Sequence, residues 1–349
     1  MKKITLLLLA VVLTSNVTWA KESKFAKKLA ALPGVTSVKP FKSSRFKEAY
    51  IITFTQYTDY ADTKAGTFTQ RALVCHVHED SATVLVTEGY GLDYYLTKPD
   101  YREELSDIFN TNCVIVEHRY FGESKPEVKK KELYWQYLTT FNAATDHHRF
   151  SEAFHKLYHG KFIATGVSKG GICANMFRAY YPNDVDITVP YVAPLCDGPE
   201  DPRLAKAIME YGSDDERQFI RTFMEYMFKN RDTYMPMLEK YCIENELQPR
   251  IPYDELYDYA VMDMHVAILA RGEIKKIPDY MKCPADTTFA FLVKYGAPEG
   301  FTPEYDNMPY YVQAIKELGH YALMPDCYAG PKAVGDTHDY LMRTALPED

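Results

Sequence analysis

The sequence has no C-x-x-C pair, no cysteine and histidine spacing suited to zinc, no internal repeat and no low-complexity tract. Those absences exclude a zinc-ligated module, a redox dithiol and a solenoid. Excess positive charge is missing too. The 48 acidic residues outnumber 40 basic ones for a formal net charge of -8, a poor match for nucleic acid. Past the first 20 residues no apolar run is long enough to cross a bilayer. Nothing has the spacing of a metal site, and no organic cofactor is implied.

What is present begins with a leader. Met1, Lys2 and Lys3 precede an apolar run from Ile4 to Leu13, and Thr18-Trp19-Ala20 offers a small-residue cut. Residues 1–20 are therefore expected to be a secretory signal, which places the mature chain in the periplasm or outside the cell. No cysteine stands near the cut to take a lipid, so no membrane anchor is expected. The mature part holds seven cysteines, Cys75, Cys113, Cys173, Cys196, Cys242, Cys283 and Cys327, and an odd number leaves at least one unpaired. Several fall in apolar runs, so buried free thiols acting as small hydrophobes are expected. A chain of 349 residues suits one elaborated domain with a large core.

The organising stretch is Lys161-Phe162-Ile163-Ala164-Thr165-Gly166-Val167-Ser168-Lys169-Gly170-Gly171. Its apolar run ends in G-x-S-x-G, the nucleophile elbow in which a strand turns sharply into a helix and leaves a serine hydroxyl above the sheet. The glycines follow from the chemistry, because side chains two residues to either side of a strained serine would collide across the turn. Residues 172–181 then read as a helix stopped by Pro182.

Along the rest of the chain, residues 21–47 are basic and weakly patterned, an exposed lead-in. Residues 50–57, 68–78 and 83–87 read as strands, an antiparallel lead-in to a mixed sheet. Residues 101–110 read as a helix and 113–117 as an apolar strand of the parallel kind. Lys129-Lys130-Lys131 reads as a solvated loop tip, residues 143–159 as a helix, and 186–194 as a sixth strand with edge character from its prolines. Helices take over from Asp201. Ser213-Asp214-Asp215-Glu216 is a capping box, and helices are expected over 254–272 and 309–319. The organisation is thus α/β: a hydrolase core over 21–200, a helical cap over 201–333 inserted after the sixth strand, and the start of a return to the core over 334–349.

Several motifs also resemble one family. These are Val116-Glu117-His118-Arg119-Tyr120-Phe121-Gly122-Glu123-Ser124, Trp135-Gln136-Tyr137-Leu138-Thr139, Ala143-Ala144-Thr145-Asp146-His147-His148-Arg149, the elbow itself, and Tyr181-Pro182-Asn183-Asp184-Val185-Asp186 with the strand after it. In this order and spacing they are similar to the secreted bacterial prolyl tri/tetrapeptidyl aminopeptidases, relatives of the lysosomal prolylcarboxypeptidases. The resemblance implies an α/β-hydrolase fold and a serine peptidase that releases short peptides from N-termini, favouring proline at the cleaved bond. Ser168 takes the nucleophile's place.

Hydrolases of this kind build an oxyanion hole from two backbone amides. Lys169, just after the nucleophile, supplies one, and Tyr90 in the Glu88-Gly89-Tyr90-Gly91-Leu92 loop supplies the other. Acid and base follow the serine in chain order. His338 is the histidine past the cap and the candidate base, with Asp326, Asp336 and Asp339 as acids. None has the family's surroundings, and no strand-like run follows the cap. The expectation is a chain without its C-terminal strands and incomplete in its triad. An aminopeptidase needs a carboxylate for the substrate's amine. Glu117 and Glu123 are candidates, as are Asp197, Glu200 and Asp201, but for the Glu117, Arg119 and Glu123 group a buried Glu–Arg network bracing the elbow is the favoured alternative. Three readings stay open: the peptidase acting on peptide substrates, a non-catalytic protein on the same scaffold, and a secreted esterase.

Overall fold

The computed structural model describes residues 23–92, 95–128, 131–302, 307–321, 323 and 327–334, with backbone alone at 131–133, 204 and 205. The expected signal at 1–20, part of the lysine loop tip and the stretch 335–349 lie outside those residues.

Among the described residues seven strands make one mixed sheet: β1 (Val35–Pro40), β2 (Glu48–Tyr57), β3 (Thr67–His76), β4 (Thr83–Thr87), β5 (Asn112–Val116), β6 (Phe162–Val167) and β7 (Ile187–Tyr191). Their order is β1-β2-β3-β5-β4-β6-β7. The pairs from β1 through β3 to β5 are antiparallel, whereas β5, β4, β6 and β7 run parallel. This is the mixed α/β-hydrolase arrangement expected from the sequence, except that residues 83–87, expected in the antiparallel lead-in, join the parallel half as β4.

β4 and β5 are buried throughout, which is why they read as unbroken apolar runs. Alternation divides them between two cores. Leu85, Val114 and Val116 face Phe150 and Phe154 of α3 (Thr140–Phe154) and Phe177 of α4 (Lys169–Tyr180). Val84, Val86 and Ile115 face the other way, toward Leu105 of α2 (Glu104–Phe109). Among the described residues β7 ends the strand order, in keeping with Pro190.

The lead-in is a correction. Residues 24–30 form a helix, α1 (Lys24–Ala30), capped by Ser23 and burying Phe25, Ala26 and Leu29, and β1 follows it. The strand before the helical block is therefore the seventh, not the sixth.

That block contains α5 (Pro202–Glu210), α6 (Asp214–Lys229), α7 (Arg231–Glu244), α8 (Tyr253–Ala270), α9 (Ala285–Gly296) and α10 (Met308–Gln313). The capping box forms, with Ser213 Oγ accepting from the Glu216 amide and the Glu216 carboxylate from the Ser213 amide. Behind it Ile220, Phe223, Met224, Met227 and Phe228 of α6 pack into a separate core with α8 and α9. The helix expected over 309–319 is α10 continued by a π turn, Ala314–Leu318, and closed by Gly319 at φ 74°. A short ribbon missed in the sequence, β8 (Glu200–Asp201) with β9 (His320–Tyr321), ties the block's entry to its exit. None of the seven cysteines forms a disulfide, and Cys75, Cys113, Cys173 and Cys242 are buried.

Candidate active site

β6 is buried as far as Gly166, and the chain then breaks surface, with Val167 61% exposed and Ser168 exposed beside it. Ser168 sits at φ 56° and ψ -120°, a conformation that costs a non-glycine residue about 1–3 kcal/mol. Its amide donates to Tyr191 O on β7 (3.0 Å), and its carbonyl accepts from Ile172 in the first turn of α4 (3.0 Å). The strain is held from both sides by regular structure.

The surrounding glycines are required by close approach. A Cβ on Gly166 would overlap the Gly170 carbonyl, one on Gly170 would lie 2.9 Å from Thr87 O, and one on Gly171 would lie 2.7 Å from Tyr191 O. Thr87 Oγ1 adds a polar stitch, 3.0 Å from Gly170 O and 3.1 Å from Thr165 O. α4 receives no side-chain cap, so its first amides and the positive end of its dipole are left for a ligand beside Ser168.

The 88–92 loop lies against this helix start. A Cβ on Gly89 would come within 2.6 Å of Gly170 N and 2.7 Å of Lys169 Cβ. Tyr90 O accepts from the His118 amide (2.9 Å), and Leu92 N donates to Glu117 Oε1 (2.8 Å). The two sequence-predicted oxyanion residues, Lys169 and Tyr90, are thus neighbours of one elbow. Ser168 and Tyr90 also line a cleft of about 630 Å³, with Glu88, Tyr95, Glu104 and Tyr191 among its walls.

Glu117 and Arg119 do not pair with each other. Two residues apart, they would share a face of a continued strand, but β5 ends at Val116 and the chain leaves the ladder there. Glu117, fully buried, takes four donors: Arg71 Nε (2.9 Å), Arg71 Nη2 (2.5 Å), Ser124 Oγ (2.5 Å) and the Leu92 amide. A carboxylate offers about four acceptor positions, so none remains for a substrate amine. Its bracing alternative fits better, with Arg71 of β3 as partner. Arg119 instead meets Asp146 of α3 through Nε (2.7 Å) and Nη2 (2.9 Å), and donates to the carbonyls of Tyr57, Thr58 and Tyr137. Glu123 is 75% exposed and bound at Arg71 Nη1 (2.8 Å). Asp201 caps α5 and accepts from the Asp197 amide, a structural position.

Of the histidines, His118 Nδ1 donates to Arg119 O (2.7 Å), His148 Nδ1 meets Asp184 Oδ2 (2.7 Å), and His265 Nδ1 meets the Tyr328 hydroxyl (2.6 Å). His147 and His320 are buried. The candidate base His338 and the acids Asp326, Asp336 and Asp339 lie outside the described residues. Among the described residues no group of three or more histidine, cysteine, aspartate or glutamate side chains could hold a metal ion. No helix among them is long and apolar enough to cross a membrane.

Two features escaped the sequence reading. Arg71 lies far from Glu117 in the chain and is joined to it by strand pairing alone. Lys169 is 1% exposed, and burial draws its pKa down to about 8. Its place in the elbow, on a helix flanked by small residues, was the available signal.

The sequence profile of the PS-10 peptidase S37 family matches residues 20–322. A prolyl tri/tetrapeptidyl aminopeptidase from Streptomyces mobaraensis is 29% identical over 310 residues, covering 86% of this chain. The chain spans 62% of that relative's length. Among solved structures, a thermostable carboxyl esterase from Bacillus coagulans aligns over 76% of this chain and 72% of its own, at 14% identity and a TM-score of 0.32. Acetyl xylan esterase 1 from Thermoanaerobacterium aligns over 54% and 62%, at 13% identity and a TM-score of 0.34. Likenesses this loose carry no statement about chemistry.

Proposed function

Because this chain belongs to the PS-10 peptidase S37 family, we propose that it is a serine peptidase that releases tri- and tetrapeptides from N-termini, with proline preferred at the cleaved bond. The observation that carries the reading is the exposed Ser168, held in a strained conformation where β6 turns into α4. Strain of this kind persists where the surroundings over-determine it, and here it keeps one hydroxyl above the sheet.

In this mechanism Ser168 Oγ attacks the scissile carbonyl carbon while a histidine takes its proton. The carbonyl oxygen becomes an oxyanion between the Lys169 and Tyr90 amides, the first assisted by the end of α4. The protonated histidine then gives its proton to the leaving amine, and an acyl-enzyme on Ser168 is left. Water, deprotonated by the same histidine, attacks the ester and frees the short peptide. His338 remains the sequence candidate for that base. Glu117 is given the bracing role that its four donors support, and Glu123 keeps the role of amine candidate. The leader at 1–20 points to the periplasm or the exterior as the place of action.

The test compares proline-containing tripeptidyl and tetrapeptidyl anilides, their N-acetylated forms and short-chain esters, with the protein and its Ser168→Ala variant. Release from free N-termini alone, lost in Ser168→Ala, is the expected result. Turnover of the esters alone moves the reading to an esterase, and no turnover together with an unreactive Ser168 moves it to a non-catalytic scaffold.

A further inference from the structure

A lysine that follows the nucleophile has no obligatory side-chain role, since its amide is what meets an oxyanion, and solvent is the usual place for its ammonium. Here the side chain turns inward and Nζ has no hydrogen-bond partner among the described residues. An unpaired buried ammonium is costly unless something replaces its water. Two ring faces do so: Nζ stands 4.6 Å from the Phe121 centroid and 5.6 Å from that of Tyr90. The rings meet edge to face at 5.5 Å.

Tyr90 belongs to the loop after β4 and Phe121 to the segment after β5, so one side chain reaches from the elbow into both. Glu88 on the loop and Cys173 on α4 favour its charged form. His118, after β5, is held well below its ordinary pKa by burial first and then by the Lys169 charge. The His118 amide in turn holds Tyr90 O.

We propose that Lys169 is a positioning residue of the oxyanion hole: its ammonium, clasped by the Tyr90 and Phe121 rings, clamps the 88–92 loop to the elbow so that two amides face one point. The inference rests on the catalytic reading of Ser168, and its test has one arm that needs no catalysis. With the amine charged, the loop is fixed. Once Nζ loses its proton the cation–π attraction goes, and the Tyr90 amide drifts from the point it shares with the Lys169 amide.

The first arm follows amide hydrogen exchange over residues 88–92, as protection factors, in the full chain and in Lys169→Met and Lys169→Arg. Wild type is expected to lose about ten-fold protection in this loop between pH 7 and 9.5. Lys169→Met shows the low value at both pH values, and Lys169→Arg, whose guanidinium does not titrate there, keeps the high one. The second arm follows Ser168 phosphonylation by a fluorophosphonate over the same range. It is expected to fall above pH 8 in wild type, to hold in Lys169→Arg, and to run about ten-fold slower without that fall in Lys169→Met. If Lys169→Met fails to fold, the comparison of wild type with Lys169→Arg decides alone. Loop protection that ignores both pH and the substitution overturns the clamp, even if Ser168 reacts. Loop protection as predicted with an unreactive Ser168 keeps the clamp and overturns the catalytic reading.

Discussion

A methyl group added at Gly166 probes the elbow where it has least room. It would overlap the Gly170 carbonyl and stand 2.9 Å from Thr87 O, against a comfortable carbon contact of about 3.5–4.0 Å. Every atom it meets is main chain, so no rotamer change relieves the clash. β6 or the first turn of α4 has to move by roughly 1 Å, and Ser168 rides on the segment that moves. Overpacking of this sort costs about 1–3 kcal/mol, and contact on two backbones puts Gly166→Ala near about 3 kcal/mol. A 1 Å misplacement of reacting groups costs about 10²-fold in rate. Gly272→Ala is the control, because Gly272 has φ 62° but open space around its Cβ position. It should lose about 1 kcal/mol from left-handed strain and leave Ser168 untouched. Urea denaturation and the second-order rate of Ser168 phosphonylation read the two effects. Equal stability and equal reactivity in the two variants would refute the packing argument.

Two further outcomes follow from buried charge. Arg119→Met leaves Asp146 without its bidentate partner in a site where both side chains are about 1% exposed or less, and the loss should be about 3–5 kcal/mol in urea, recovered in part in Arg119→Met with Asp146→Leu, which still leaves the Tyr57, Thr58 and Tyr137 carbonyls without the guanidinium. His265 is buried neutral, with burial drawing its pKa down to about 4. The unfolded chain therefore binds a proton that the folded one refuses, so stability present above pH 6.5 is lost as the pH falls toward 4. At 1.36 kcal/mol per pKa unit this reaches about 3 kcal/mol, and His265→Gln should lose less stability by that amount between pH 7 and 4.

What could be read from the sequence was what depends on neighbours in the chain. The elbow was legible because its glycines and its apolar strand are contiguous, and Ser213 with Glu216 was legible because a capping box spans one turn. α1 was not, because Lys24, Lys27 and Lys28 dilute a buried stripe of only Phe25, Ala26 and Leu29. β8 and β9 are two residues each, too short for any periodicity. The Glu117 brace was half legible: a buried acid at a strand end was expected, but its partner comes from β3 and is set by register. Arg119 drew the wrong partner for the same reason, since Asp146 reaches it through the packing of α3. The burial of Lys169 depends on two loops that meet only in the fold.

The most direct measurement is peptide mapping of the intact chain after treatment with a fluorophosphonate, beside a sample unfolded first. The account predicts one adduct, on Ser168, formed in the folded protein and absent from the unfolded one. An adduct on another serine, or a folded protein that takes none, would contradict it.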